Sequence, residues 1–315
     1  MALDHRKGRR IAYQAGALAA LAAAAWFIVS NTLANLEARH IASGFAFLRR
    51  EAGFEIGEHF LFAYDSAGSY LRALSVGLAN TFKVGLLGIL LATALGVLIG
   101  LCRLSRDGVV KGLSLAYVEF VRNVPLLVQL FFWYTLFTQL PPPAQALQPL
   151  DGVYLTNRGI YFPLPGSAPV LGTFNFSGGG SLSPEFATLL VGLTLYTAAF
   201  VAEIVRAGIL AVPRGQVEAA LALGLAARAA TRHVVLPQAL RVIVPPLTSQ
   251  YLNLIKNSSL AVAIGYPDLV SIANTTINQT GQAIEGVAII MAVYLAISLA
   301  ISALMNAYNA RIARR

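Results

Sequence analysis

Glu218-Ala219-Ala220-Leu221-Ala222-Leu223-Gly224, followed by Val234-Val235-Leu236-Pro237, is the stretch around which the chain is organised. It is mildly polar and lies between two long hydrophobic runs. The residues before Gly224 are good helix formers, and the acid, Glu218, sits near the helix start, where the dipole favours a carboxylate. Gly224 suits the left-handed position just past a helix end. A second helix, interrupted at Pro237, is expected after it. A small alanine-rich surface with one charge can enter another protein's groove with little side-chain entropy to lose. The same spacing also fits an ordinary interfacial helix between two membrane spans.

The rest of the chain reads as membrane. Its 315 residues are 57% hydrophobic and 12% charged, with a mean hydropathy of +0.67; soluble domains carry about 25% charged residues. Length therefore counts spans rather than soluble domains. The net charge of +9 is read as the Lys and Arg excess of cytoplasmic loops, not as a nucleic-acid footprint. The single cysteine, Cys102, excludes an intramolecular disulfide.

Working outward from the loop, Phe186 to Val212 is the preceding span and Val242 to Gly265 the following one. The first contains Tyr196, Glu203 and Arg206, the last two spaced to neutralise each other. The second has Pro245 and Pro246 in its first turns and a polar stripe of Gln250, Asn253, Lys256, Asn257, Ser258 and Ser259. Lys256, at mid-span, needs a carboxylate, water or carbonyls: it either holds an anionic group of a substrate or pairs with Glu203. Pro267 to Glu285 is expected as an external loop, Gly286 to Met305 as the last span, and Arg311, Arg314 and Arg315 as an inner tail. His233, without a ligand-spaced partner, reads as interfacial.

Upstream, Leu113 to Leu140 is a span broken at Arg122-Asn123-Val124-Pro125. Glu119 and Arg122 are spaced to pair, and a broken helix with nearby polar groups such as Gln129 is a common way to build a substrate path. Pro141-Pro142-Pro143 ends it, and the following forty or so residues, rich in Pro, Gly and Ser, read as an external loop that is either a linker or a contact for a partner. Val84 to Cys102 is another span, with Gly96 and Gly100 spaced for close helix packing. Glu37 to Arg72 lacks an inner-loop charge bias, and Phe45, Phe47, Leu48, Phe54, Phe60, Leu61 and Phe62 are expected to rest on the outer membrane surface. Ile11 to Ser30 follows Arg6, Lys7, Arg9 and Arg10; its length favours a retained first span over a signal peptide. Six spans with both ends inside place every dense basic cluster on the side of the alanine-rich loop.

The chain contains no Gly-x-x-x-x-Gly-Lys-Ser/Thr, no His-Glu-x-x-His, no Gly-x-Ser-x-Gly and no cysteine pair. No catalytic, cofactor-binding or metal-binding residue is therefore assigned. If ATP drives the protein, the nucleotide site lies on another polypeptide.

Glu-Ala-Ala, three residues, Gly, nine residues, an aliphatic at Val234, one residue and Leu-Pro resembles the EAA loop of ABC importer membrane subunits. The run Arg122 to Gln129, reading Arg-x-x-Pro-Leu-Leu-x-Gln, and the run Leu193 to Ile209 followed by Pro213-Arg214-Gly215-Gln216 resemble the polar amino-acid class of these permeases. Asn31 to Asn35, Ile41 to Phe45 and Arg50 to Phe54 look like general L-amino-acid permeases that act as heterodimers. The likeness covers roughly residues 75–310, and the chain is short between the third and fourth core spans, where some relatives carry an insert.

The resemblance implies an all-α, polytopic membrane helix bundle of about six transmembrane helices, the type I ABC importer permease fold. It divides the chain into residues 1–74 (first helix and periplasmic amphipathic segment), 75–310 (permease core, with a coupling loop at 213–237) and 311–315 (basic cytoplasmic tail). Glu218, Ala219, Ala220, Gly224, Leu236 and Pro237 would couple to a separate ATPase. Arg122, Asn123, Pro125, Gln129, Tyr196, Glu203, Asn253, Lys256, Ser258 and Ser259 are candidates for the substrate path or gate. The implied partners are ABC ATPase subunits carrying ATP and Mg, a second permease (a homologous but different chain), a periplasmic amino-acid-binding protein and the lipid bilayer, with no nucleic acid. The implied location is a bacterial inner membrane, multi-pass, both termini cytoplasmic. Two other readings are a secondary transporter or channel working without an ATPase, and a structural subunit that only pairs with an active one.

Overall fold

The computed structural model describes residues 2–38 and 43–313. Among the described residues ten α-helices carry the architecture. α1 (Ala2–Ala38) contains the apolar window Ala12–Thr32, none of it buried. α2 (Tyr70–Cys102) and α5 (Pro184–Leu210) form the central pair. At 1.5 Å per residue they are about 50 and 40 Å long, ample for a bilayer core of about 30 Å. Their starts are capped by Ser69 and Ser183, each accepting a backbone N–H of the first turn.

Glycine explains why α2 and α5 can lie so close. A Cβ added to Gly96 would stand 2.5 Å from Val201 Cβ and 2.9 Å from the Ala198 carbonyl, and one on Gly100 would stand 2.8 Å from the Ala202 carbonyl. The expected Gly-xxx-Gly pair is thus a packing face, directed at α5. Other faces of the pair are covered by α4 (Leu126–Thr138), by α8 (Leu236–Asn257) and by the 3₁₀ helix Ser258–Ile264, which share a core of Val84, Leu130, Phe186, Leu189, Leu193 and Leu254.

The broken span is broken more sharply than a kink. α3 (Gly108–Asn123) and α4 meet at 104° across Val124 and Pro125. Proline disfavours helical backbone in the residue before it, and Val124 is extended, at φ −95° and ψ 126°. The two pieces run along α5 in succession: Val118 and Val121 pack on Ala199 and Ala202, and Leu130 reaches Gly192.

Several expectations are corrected. The stretch after Pro143 is no bare loop. β1 (Leu147–Leu150), β2 (Val153–Thr156), β3 (Gly159–Phe162) and β6 (Gly180–Leu182) form an antiparallel sheet in the order β1-β2-β3-β6, beside a hairpin of β4 (Val170–Leu171) and β5 (Phe176–Ser177). Asp151-Gly152 makes the first two-residue turn, with Gly152 at φ 74°. Tyr154 stacks on Phe176 at 4.4 Å, joining sheet to hairpin. The helix bundle therefore carries a small β cap.

Pro267 to Glu285 is largely helical as well: α9 (Leu269–Thr280), capped by the Asp268 carboxylate, precedes α10 (Ala283–Ala313). Pro245 and Pro246 lie inside α8 rather than in its first turns, because that helix begins at Leu236. Phe47 does not rest on a membrane surface but is fully buried against Tyr70, Ala73 and Leu269; Leu48 and Phe54 pack on the same cluster, whereas Phe45, Phe60, Leu61 and Phe62 are exposed. Lys83, inside α2, is neutralised from this N-terminal segment by Glu58 at 2.7 Å, and the other Glu58 oxygen accepts from Ser183 at 2.6 Å.

Candidate coupling loop and substrate path

The loop between α5 and α8 is built on a rigid base. Val212, Val201, Val205, Ala239, Ile243 and Leu247 are buried together, with Val235 packed against them. Gly208 lets the two helices meet, since a Cβ there would lie 2.3 Å from Ile243 Cγ1. From this base the chain leaves at Pro213, whose fixed φ starts α6 (Arg214–Ala222).

α6 ends as the sequence predicts. Gly224 has φ +84°; its N–H donates to Leu221 O at 2.9 Å, and Leu225 N–H donates to Ala220 O at 3.1 Å. This is the Schellman closure, which satisfies two otherwise free carbonyls. Glu218, Ala219, Leu221 and Leu223 are exposed, Leu223 by 83%, whereas Ala220 faces inward and is buried. α6 therefore offers a short apolar ridge with one carboxylate, anchored by a single alanine.

The return path differs from expectation at Pro237. α7 (Ala227–Ala230) runs through a π-turn (Thr231–Val235) directly into α8, with Pro237 in the first turn of α8. A proline ring clashes with the carbonyl four residues earlier in an α-helix. The wider π register just upstream keeps the helix continuous instead of interrupting it. Leu236 and Pro237 are exposed beside this turn.

The candidate path residues divide into two groups. In the first, side chains are committed within the chain. Gln129 Nε2 donates to Val121 O and Val124 O, both at 2.9 Å, and so closes the break around Pro125. Asn123 donates to Glu119 O at 2.7 Å, Ser258 to Ile255 O at 2.7 Å and Ser259 to Lys256 O at 2.7 Å. Tyr196 packs against Phe200, with ring centroids 5.0 Å apart. Glu203 receives Arg206 Nη2 at 2.5 Å and Nε at 3.1 Å and also pairs with Arg103, at the end of α2. Two guanidiniums on one carboxylate hold the C-terminal ends of α2 and α5 together.

In the second group no polar partner is found among the described residues. Asn253 and Lys256 are exposed, one turn apart on α8. Arg122 is exposed and lies 5.0 Å from the Phe200 ring, not paired with Glu119. Two pairings that the sequence left open are not formed: Arg122 lies over the Phe200 ring without an ion pair to Glu119, and Glu203, one of the two alternatives for Lys256, is occupied by two arginines. Arg103, by contrast, is a partner that sequence reasoning misses: nothing in its spacing from Glu203, a hundred residues on, joins the two.

Gln129 gives a direct test of the closed break. Gln129→Leu leaves two carbonyls unsatisfied in hydrocarbon, at a cost of about 1–3 kcal/mol. The purified variant should melt several degrees lower; an unchanged melting temperature would remove the structural role.

Comparison with known proteins places this arrangement. The family described as binding-protein-dependent transport system inner membrane component matches residues 92–315. The chain is 45% identical to the putative amino-acid ABC transporter permease protein YhdX of Escherichia coli (strain K12), over 96% of this chain and 93% of that one. It is 42% identical to the general L-amino acid transport system permease protein AapQ of Rhizobium johnstonii, over 98% and 93% respectively. Among solved structures, a chain of an amino acid ABC transporter crystallised with histidines shares 29% identity at a TM-score of 0.59, covering 77% of this chain and 95% of that one. A chain of the inward-facing MetNI methionine ABC transporter, at 18% identity and a TM-score of 0.55, covers 77% of this chain and 97% of that one and shares the fold.

Proposed function

We propose, from the premise that this chain belongs to the binding-protein-dependent transport system inner membrane component family, that it is the amino-acid-conducting subunit of an importer whose motor is a separate chain. It is a multi-pass inner membrane protein and a permease subunit rather than an enzyme. The observation that carries the coupling role is the exposed ridge of α6: Leu223 and Glu218 project from a helix whose base is locked by Val212, Ala220 and Ile243.

The ridge enters a cleft of an ATPase subunit that holds ATP and Mg. The loop, the inner ends of α2, α5 and α8, and both termini lie on the cytoplasmic side. A second, related permease completes the path, and a periplasmic binding protein delivers the amino acid. Residues 1–74 add a first helix and an outer segment to the core at 75–310. The pairing of two chains accounts for Asn253 and Lys256, whose exposed side chains need a polar surrounding within the bilayer. Together with Arg122 they face the path, where Lys256 can attract the carboxylate common to all amino acids. Movement of the ATPases tilts α6 on its rigid base and switches the path between outward-open and inward-open states.

Reconstitution tests this reading. The complex in liposomes should take up amino acid only with its binding protein outside and ATP inside. Uptake by the isolated chain under an ion gradient would favour a secondary carrier and end the proposal. Lys256→Met should lower uptake about tenfold while leaving ATPase co-purification intact, one lost charge interaction being worth about 1.4 kcal/mol. Uptake at the wild-type level would assign Lys256 no part in the path.

A further inference from the structure

We propose that a cleft between the start of α8 and the end of α10 binds the phosphate of an anionic phospholipid in the leaflet next to the coupling loop. The cleft is about 600 Å³ and is lined by His233, Arg241 and Arg311, with Leu236, Pro237, Leu240 and Tyr308 as its other walls. No carboxylate lines it, and among the described residues neither Arg241 nor Arg311 takes part in an ion pair or side-chain hydrogen bond. His233 Nδ1–H donates to Ala229 O at 3.0 Å, which leaves Nε2 free.

This is unlike the other basic cleft at the same end of the bundle. There Arg103, Lys111 and Arg206 meet, but both guanidiniums are already engaged by the Glu203 carboxylate. The α8–α10 cleft keeps its charge uncompensated, and two planar guanidiniums match the oxygens of a phosphate.

The depth and the walls select a lipid over a soluble anion. From Gly286 to Ala310 the chain carries no charge, and Arg311 is the first charged residue after that run, where a membrane boundary is expected. A tyrosine there sits at headgroup level. Met291, Leu295 and Leu299 on one face of α10, and Leu304 on another face nearer to Tyr308, are 60–71% exposed, so the helix presents apolar surface that suits acyl chains. A headgroup between Arg241 and Arg311 would leave its acyl chains beside the exposed apolar side chains of α10, Leu304 being the nearest of them in sequence. A basic pocket between helices at the cytoplasmic boundary is a common form of lipid-headgroup site. Only the choice of leaflet rests on the function proposed above.

The experiment uses the full transporter, purified in mild detergent and incorporated into phosphatidylglycerol or phosphatidylcholine nanodiscs, with retained lipid counted by native mass spectrometry. The wild type should retain phosphatidylglycerol in preference to phosphatidylcholine. Arg241→Gln with Arg311→Gln should retain about tenfold less or lower, two charges near the surface contributing that much or more. Arg311→Gln alone, in the last turn of α10, should lower retention about threefold without affecting folding. Equal phosphatidylglycerol retention by the double variant overturns the site. So does displacement by excess inorganic phosphate, which would mark a free-anion pocket. Loss of the ATPase from the double variant also overturns it, by assigning the arginines to the motor contact. An ATPase absent from the wild-type preparation while lipid selectivity persists would fail the coupling reading and leave this one standing.

Discussion

Glu218→Arg should release the ATPase from the complex. Glu218 is exposed on α6 and makes no ion pair among the described residues, so reversing its charge leaves the fold of this chain within about 0.5 kcal/mol of the wild type. At a docked interface the same reversal replaces attraction by repulsion, a loss of about 2–5 kcal/mol or roughly 30-fold and more in affinity. The variant should therefore reach the membrane in normal amount and melt normally, yet purify without the motor and take up no amino acid. Ala220→Ser, by contrast, alters a buried anchor rather than the exposed ridge, so its effect should appear as loop mobility before it appears as lost affinity. Normal ATPase recovery with Glu218→Arg would mean that α6 is not the contact.

Gly96→Val should prevent α2 and α5 from closing. Even the first added carbon meets Val201 Cβ at 2.5 Å and the Ala198 carbonyl at 2.9 Å, so relief cannot come from a side-chain rotation alone; one helix must move. Overpacking costs about 1–3 kcal/mol when the surroundings can yield, and here a backbone oxygen is one of the obstacles. Moving α2 would also disturb Gly100 on Ala202 and pull Arg103 away from Glu203. The expected result is a chain that fails to accumulate as a monodisperse species in size-exclusion chromatography. Gly208→Ala is a milder neighbour of this case. Its added carbon meets Ile243 Cγ1 at 2.3 Å, a side-chain atom, so pairing it with Ile243→Ala should restore stability. No such single truncation relieves Gly96.

The sequence was informative wherever chemistry is local. The Glu-Ala-Ala stretch marks α6, and Gly224 closes it by a left-handed turn that any reading of helix ends would expect. Pro125 breaks a span because its ring constrains Val124, whatever surrounds them. The β cap is equally local, against the reading of this stretch as a loop: Asp151-Gly152 between Leu147–Leu150 and Val153–Thr156 is a hairpin signal, obscured by the surrounding Pro, Gly and Ser. A connection of forty residues without structure was itself an argument against that reading.

What the sequence determined alone was the order of the long apolar helices, the break at Pro125 and the identity of the exposed loop. Each follows from backbone sterics and hydrophobic runs within a few tens of residues. Only the tertiary structure decided the partners of the charges and aromatics: Glu203 with Arg103 across a hundred positions, Lys83 with Glu58, Arg122 with Phe200, and Phe47 under Leu269. In hydrocarbon a charge is bound to whichever neutralising group packing brings within reach, and that reach is set by how the helices lie together, which no local spacing records.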